Sequence, residues 1–299
     1  MKNTPEYSAN YKGCLFMLLA MAAFSLEDMF IKSAVEVVPL GYAILAFGLG
    51  GALVFFGLMQ FKAEATVPED IRSKAMLVRV ICEIIGRSFF ALAIILMPLS
   101  SASAILQATP LVVVLGAAVY MNEKISSAHW IAIITGFIGV LMIVRPGPDD
   151  FNPASLFAVA STLGFAGRDL ATRAASPKLS NYQLGFYGFL VLIASGACLS
   201  LIEDKAFAID SSSALQIAAA ILFGVIAYNA LTIAMRSGSI SVVAPFRYSR
   251  VIFALILGIV IFDEQPDLMT LSGTFVIVSS GIYILYSRRL KRVIAGGNG

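Results

Sequence analysis

Ten apolar runs of about twenty residues each, separated by short polar breaks, are what most restricts the fold this chain can adopt. A bilayer core of roughly 30 Å takes a helix of about that length. Unpaired backbone is so costly in lipid that only helices and closed barrels cross it. The runs fall at 12–36, 39–61, 74–96, 100–121, 127–145, 153–175, 181–202, 213–236, 240–262 and 269–288. Asn152 before Pro153, Ser180 with Asn181, and the serines at 211–213 are helix-start punctuation for the sixth, seventh and eighth runs. Composition agrees, since 59% of residues are hydrophobic and 13% charged, against about 45–50% and 25% in soluble domains. The chain is read as an all-α polytopic membrane protein.

Loop charge orients it. With the N-terminus inside, one face collects Lys2, Lys12, Lys62, Arg72, Lys74, Lys124, Lys178, Arg236, Arg288, Arg289, Lys291 and Arg292, and the other has only Arg145 and Lys205. Twelve against two puts both termini in the cytoplasm under the positive-inside rule. The first run sits behind Lys2 and Lys12 like a signal peptide, but Glu27, Asp28 and Lys32 continue its helix without a break.

Sliding the chain over itself by 141 residues pairs Phe24 with Phe165, Asp28 with Asp169, Lys32 with Arg173, Ser100 with Ser241, Asn122 with Asp263 and Glu123 with Glu264, without a gap. Residues 1–146 and 147–299 are therefore two five-helix repeats, the second ending in a basic cytoplasmic tail. Because five is odd, the second copy enters the membrane upside down. Inverted repeats of this kind form transporters whose site lies near the midplane at the repeat interface, around a central cavity.

Other classes lose support. No basic patch beyond the C-terminal tail marks a nucleic-acid surface. Cys14, Cys82 and Cys198 lie far apart in apolar runs and read as small hydrophobes, and His129 is the sole histidine. No metal or cofactor is expected. The absence of a GxxxxGK[ST] loop leaves no ATPase function in this chain and no sign of an ATPase subunit as partner. An intramembrane hydrolase is the remote alternative, and its nearest motif, Leu271-Ser272-Gly273 behind Thr270, lacks the first glycine of a nucleophile elbow. The chain reads as a secondary transporter or facilitator with a small-molecule substrate.

The segments Ser100 to Pro146 and Gly238 to Tyr286 each place a small-residue helix before an acidic residue, Glu123 or Glu264, and a glycine-bearing helix after it. In these the chain resembles the drug/metabolite transporter superfamily, in its ten-helix form with two EamA-like halves. The resemblance implies a multi-pass protein of the bacterial inner membrane that exports amino acids, metabolites or drugs by alternating access. It also implies a cavity lined by helices 1, 3, 4, 6, 8 and 9, and its aromatic amino-acid exporter branch is the narrower expectation.

Charges inside a bilayer face the bundle interior and mark function by default. The spans hold Glu27, Asp28, Glu83 and Asp169 against Lys32, Arg79, Arg87, Arg168, Arg173, Arg247 and Arg250, so four acids against seven bases leave three surplus cations. Asp28 with Lys32, Asp169 with Arg173 and Glu83 with Arg87 stand at i,i+4 with the acid first, the favourable order. The first two pairs are repeat mates on opposite sides of the membrane, hence candidate gate latches as well as simple neutral pairs. Glu83 has Arg79 as a second choice, which would leave Arg87 to hold a substrate carboxylate through two parallel hydrogen bonds.

Amphipathic substrates with a carboxylate, aromatic or large neutral amino acids among them, are favoured over the cations of proton-coupled multidrug efflux, because the surplus is basic. The candidate substrate-binding residues are Arg87, Phe90 one turn on, Gln107 on the polar stripe Ser100-Ser103-Gln107-Pro110, Tyr228 with Asn229 at the repeat mate of Arg87, and Tyr248 at the mate of Gln107. Pro110 and Pro245 free the carbonyls of Leu106 and Ser241, making each a kink or a hinge. Gly136 with Gly139, Gly164 with Gly167 and Ala46 with Gly50 are expected to be packing contacts.

Overall fold

The structure is a computed structural model, and it describes residues 5–120, 127–145, 152–176, 178–201, 203, 208–237 and 243–296. The first half contains α1 (Pro5–Ala34), α2 (Leu40–Phe61), α3 (Lys74–Leu96), α4 (Leu99–Leu106), α5 (Thr109–Tyr120) and α6 (Ser127–Val144). The second contains α7 (Ala154–Ala174), α8 (Asn181–Ser200), α9 (Ser211–Arg236), a 3₁₀ turn over Ala244–Tyr248 leading into α10 (Ser249–Phe262), and α11 (Leu268–Gly296). Together they account for each of the ten expected spans. α1 begins before residue 12 and α11 runs past 288, because a helix need not stop where lipid does.

The fourth span departs from the expected single helix. It breaks between α4 and α5, where Gln107 and Ala108 donate to carbonyls three residues back, those of Ala104 and Ile105. Pro110 is the cause, since it can offer no hydrogen to Leu106, whose carbonyl instead accepts the Thr109 hydroxyl at 2.5 Å. The corresponding turn of the second half holds Pro245 in its backbone, while Ser241, Glu123 and Asn122 lie outside the described residues.

Packing follows a two-fold relation between the halves. α2 lies along its own repeat mate α8, and α6 along its mate α11. α1 packs on α9 as α7 packs on α3, and α10 meets α1 as α4 and α5 meet α7. Exchanging the halves therefore leaves these principal contacts unchanged. Leu53, Phe61, Leu215, Val260 and Phe275 are exposed around the outside, a surface suited to lipid. Cys198 is exposed there too rather than packed inside.

Small residues set the closest approaches. A Cβ on Gly164 would come 2.5 Å from the Gly86 backbone nitrogen, so α3 and α7 touch main chain to main chain. Gly139 stands likewise against the Gly273 carbonyl, and Gly50 against the Ile221 side chain. The paired small residues are thus packing contacts, as expected.

An even number of spans brings both chain ends to one side of the bundle, called here the terminal end. At the far end, Asp263 closes α10 in the left-handed conformation (φ 51°), with the Glu264 amide returning to the Gly258 carbonyl at 3.0 Å. That turn, which Asp tolerates better than most residues, delivers Glu264 to the start of α4. Its carboxylate accepts from the Leu99 and Ser100 amides at 2.6 and 3.1 Å, where the positive end of the helix favours it. Glu203 caps α2 in the same way, accepting from the Leu40 and Gly41 amides at 2.9 and 2.8 Å.

Candidate functional site

The membrane charges converge on one buried network. Asp28 accepts from Arg250 at 2.6 Å and Glu27 from Arg87 at 2.7 Å. Asp169 bridges Arg168 at 2.9 Å and Arg247 at 2.6 Å. Glu83, 1% exposed, has Arg168 at 3.2 Å, Arg87 at 3.5 Å and Arg79 at 3.7 Å. The helices position these groups by packing the two halves against each other, so that α1 meets α10 and α3 meets α7.

The pairing corrects the sequence reading at Asp28. Asp28 bonds Arg250, not Lys32, and Lys32 crosses instead to Glu264 at 2.9 Å. Asp169 takes Arg168 and Arg247, and the Arg173 side chain lies outside the described residues. The physical reason is that an i,i+4 pair contributes only about 0.2–0.5 kcal/mol. A buried charge on a neighbouring helix must be neutralised or the fold loses several times that. Glu83 does meet both of its expected partners, and Arg87 is not left free, because Glu27 holds it.

Aromatic rings complete the network. The Arg87 and Arg250 guanidinium carbons stand 5.4 and 5.1 Å from the Phe24 ring centre, and Arg168 stands 4.6 Å from that of Phe165. Phe90 supports Arg250 at 5.1 Å and meets Phe165 edge to face. Such stacks of cation on ring weaken the need for water around each charge.

Cavities lie among these groups and at the two ends of the bundle. The central one is lined by Phe24, Arg87, Gln107, Phe165, Arg168, Arg247 and Arg250, with Met21, Leu106, Thr109 and Leu231, and its volume is about 20 Å³. That holds a single water; ligand pockets run to roughly 300–1,000 Å³. The central cavity is thus closed down. At the terminal end, a cavity of about 290 Å³ lies among Arg79, Arg168, Asp169, Thr172, Leu184, Tyr228, Thr232 and Arg236. At the far end, one of about 310 Å³ is bordered by Ser100, Ser101, Arg145, Glu264 and Asp267.

The structure brings Arg87 and Gln107 to the central cavity, and Phe90 with Arg87 to a smaller one of about 30 Å³ beside Glu27 and Asp28. Tyr228 belongs to the terminal-end cavity, where its hydroxyl accepts from Arg79. Tyr248 is buried beside them with an unpartnered hydroxyl, as is the amide nitrogen of its mate Gln107. Asn229 is half-buried and lines none of these cavities. Sequence reasoning gave no role in the site to Glu27 or Arg168. A signal existed, since Glu27 and Arg168 are repeat mates of opposite charge.

A family model described as the EamA-like transporter family matches residues 11–145 and 152–287. The chain belongs to this family. The two matched segments coincide with the two halves of the bundle, and this EamA-like protein is a multi-pass membrane transporter of small metabolites, not an enzyme. It is 24% identical over 286 residues to the S-adenosylmethionine uptake transporter of Rickettsia prowazekii, covering 93% of each chain. Over 285 residues it is 26% identical to the riboflavin transporter of Vibrio cholerae, covering 91% of this chain and 92% of that one. A pseudopaline exporter, CntI of Pseudomonas aeruginosa, is 27% identical over 282 residues, 93% of this chain and 97% of the relative. A solved crystal structure superposes with a TM-score of 0.64 at 21% identity over 95% of this chain and 99% of that one, a likeness of fold. These relatives are named for three different metabolites and for both directions of transport; none carries the name of an aromatic amino-acid exporter.

Proposed function

We propose that this transporter carries small amphipathic metabolites bearing a carboxylate, with aromatic and large neutral amino acids and their derivatives as the class. The observation that carries the reading is the central cavity. Four arginines line it, with two phenylalanines and Gln107, and no carboxylate is among its lining residues. Guanidinium forks hold carboxylates in paired hydrogen bonds, and the rings offer the apolar part a surface. A lipophilic cation would meet like charge there. S-adenosylmethionine, the metabolite named for the Rickettsia relative, has the amino-acid carboxylate and an aromatic base, but also a sulfonium cation that would have to lie away from the arginines.

The protein sits in this reading in the bacterial inner membrane with both termini cytoplasmic, as the loop charges require. The terminal end then faces the cytoplasm. Its cavity has three arginines to one aspartate, whereas the far-end cavity has Arg145 with Glu264 and Asp267. A carboxylate is drawn to the first of these, which supports loading from the cytoplasm and export. Asp28, Lys32, Glu83 and Asp169 act as the charge pairs that hold the closed state, with Pro110 and Pro245 as the flexing points.

The test is flux in proteoliposomes of purified protein, with and without a pH gradient, comparing phenylalanine, phenylalaninamide and a lipophilic cation. Phenylalanine should move at least about tenfold faster than its amide, the discrimination expected when one buried charge-assisted contact is lost. Arg87→Gln should remove that preference. Preferred transport of the cation would sink the proposal.

A further inference from the structure

The described acids of the network are matched one for one, and the match leaves an arginine over. Glu27 takes Arg87, Asp28 takes Arg250, Glu83 takes Arg168 and Asp169 takes Arg247, each at 3.2 Å or less. Arg79 is the remainder among the described arginines of the network. Its nearest carboxylate, that of Glu83, is 3.7 Å away, beyond hydrogen-bond reach. Yet Arg79 is 2% exposed, and a guanidinium buried in a membrane protein needs a counter-charge.

Glu83 offers Arg79 an ion pair without a hydrogen bond, so the Arg79 donors turn to other groups. Nε donates to the Thr172 hydroxyl at 3.1 Å, and Nη2 to the Leu184 carbonyl at 3.4 Å and to the Tyr228 hydroxyl. All three acceptors are neutral. Nη1 is buried and donates to nothing. Since the Tyr228 oxygen accepts from Arg79, its own proton remains to be given, and no acceptor for it is found among the described residues. Thr172 and Thr232 spend theirs on the carbonyls of Arg168 and Tyr228 at 2.8 Å. Arg79 and Tyr228 both line the 290 Å³ cavity at the terminal end. Two residues that each keep a donor unspent, one of them cationic, therefore line one cavity.

We infer that Arg79 and Tyr228 form a second anion subsite, separate from the central cavity, which binds the carboxylate of the substrate before the central cavity opens to receive it. The inference rests on the proposed carboxylate substrate for the identity of the ligand, but not for the site's preference for an oxyanion. Arg168 lines both cavities and so links the first seat to the inner one. An anion moving inward from Arg79 would pass from one guanidinium to the next without entering bare lipid-like surroundings.

The probe is a cysteine at Thr232 on the cavity wall, in full-length protein whose three native cysteines are replaced, reconstituted in nanodiscs. Modification by anionic sulfonatoethyl methanethiosulfonate is compared with the cationic trimethylammonioethyl reagent. The anionic reagent should react about tenfold faster once intrinsic reactivities are divided out, the order expected for a cleft of one charge sign, and millimolar benzoate should slow it. Arg79→Gln should bring the two rates together and abolish benzoate protection. Tyr228→Phe, which keeps shape and charge, should retain the reagent preference but weaken the protection.

A faster cationic reagent, or an anionic preference and benzoate protection that survive Arg79→Gln, would overturn the inference. If Arg79→Gln does not fold, Tyr228→Phe and the unaltered background decide: no benzoate effect in that background, or full protection in Tyr228→Phe, overturns it equally. The transport assay separates the two ideas. An oxyanion seat at Arg79 with equal flux of phenylalanine and its amide defeats the proposed substrate class and leaves the subsite standing. A carboxylate preference in flux that Arg79→Gln leaves intact does the reverse.

Discussion

The Lys32 ammonium in α1 lies 2.9 Å from Oε1 of Glu264, in the loop after α10, and the same carboxylate holds the Ser100 hydroxyl at 2.7 Å and the first amides of α4. One side chain thus fastens three segments across the repeat interface at the far end of the bundle. Partial burial works against its charge, but the hydrogen bonds from Ser100, Lys32 and the Leu99 amide outweigh it and hold the carboxyl below the usual glutamate range. A depressed carboxyl contributes stability that is complete above the unperturbed value of 4.5 and is lost as pH falls through the lowered one.

Glu264→Gln should therefore loosen the far end at neutral pH, and wild-type protein should match it only in acid, well below pH 4.5. Cysteine accessibility reads this directly. A cysteine at Ser101, which lines the far-end cavity, should label faster with an impermeant maleimide in Glu264→Gln, and one at Thr232 should label more slowly. Unchanged labelling at both positions would mean that the clamp only caps α4.

The pair Asp28 with Arg250 is buried at 2.6 Å, and such pairs are costly to break from one side. Asp28→Asn should lower stability by roughly 3–5 kcal/mol, because it strands a guanidinium inside the bundle. Arg250→Gln added to it should cost much less than the sum of the two single changes. Equilibrium unfolding in SDS, followed through a full double-mutant cycle, gives the coupling, and strict additivity would show that the two charges do not depend on each other.

How much of this was legible in the residues follows from the range of each rule. The ten spans and the repeat were readable because hydropathy and the 141-residue offset act along the chain itself. The Pro110 break was half-readable: the freed Leu106 carbonyl was foreseen, but not the Thr109 hydroxyl that takes it. The partner of Asp28 was misassigned because an i,i+4 neighbour, Lys32, competed with a side chain on another helix. Asp28 and Arg250 are 222 positions apart, and only helix packing decides that α1 and α10 adjoin. Arg79 was read as an alternative partner for Glu83 and does stand beside it, but spacing along a helix does not reveal that the gap is 3.7 Å.

Glycine substitutions offer an internally controlled check on the packing. A Cβ at Gly164 would sit 2.5 Å from backbone of α3, whereas at Gly57 it would meet nothing within 4 Å. Gly164→Ala should destabilise by about 1–3 kcal/mol, the usual cost of overpacking. Gly57→Ala should be neutral or stabilising by up to about 1 kcal/mol, since alanine is the better helix former. The same SDS titration measures both, and equal effects would contradict the main-chain contact between α3 and α7.

Orientation is the remaining question on which the loading argument depends. Even span number brings the termini to one side whichever way the protein is inserted, so the fold alone leaves two options. Charge in the loops decides, because Lys and Arg resist translocation, and the termini-side set outnumbers the other by twelve to two. A green fluorescent protein fused after Gly299 should fluoresce, and alkaline phosphatase fused there should be inactive. Phosphatase fused in the loop after α1, at Val37, should be active. The reverse pattern would turn the cationic cavity of Arg79 and Arg236 toward the outside, and the same electrostatic argument would then read as uptake rather than export.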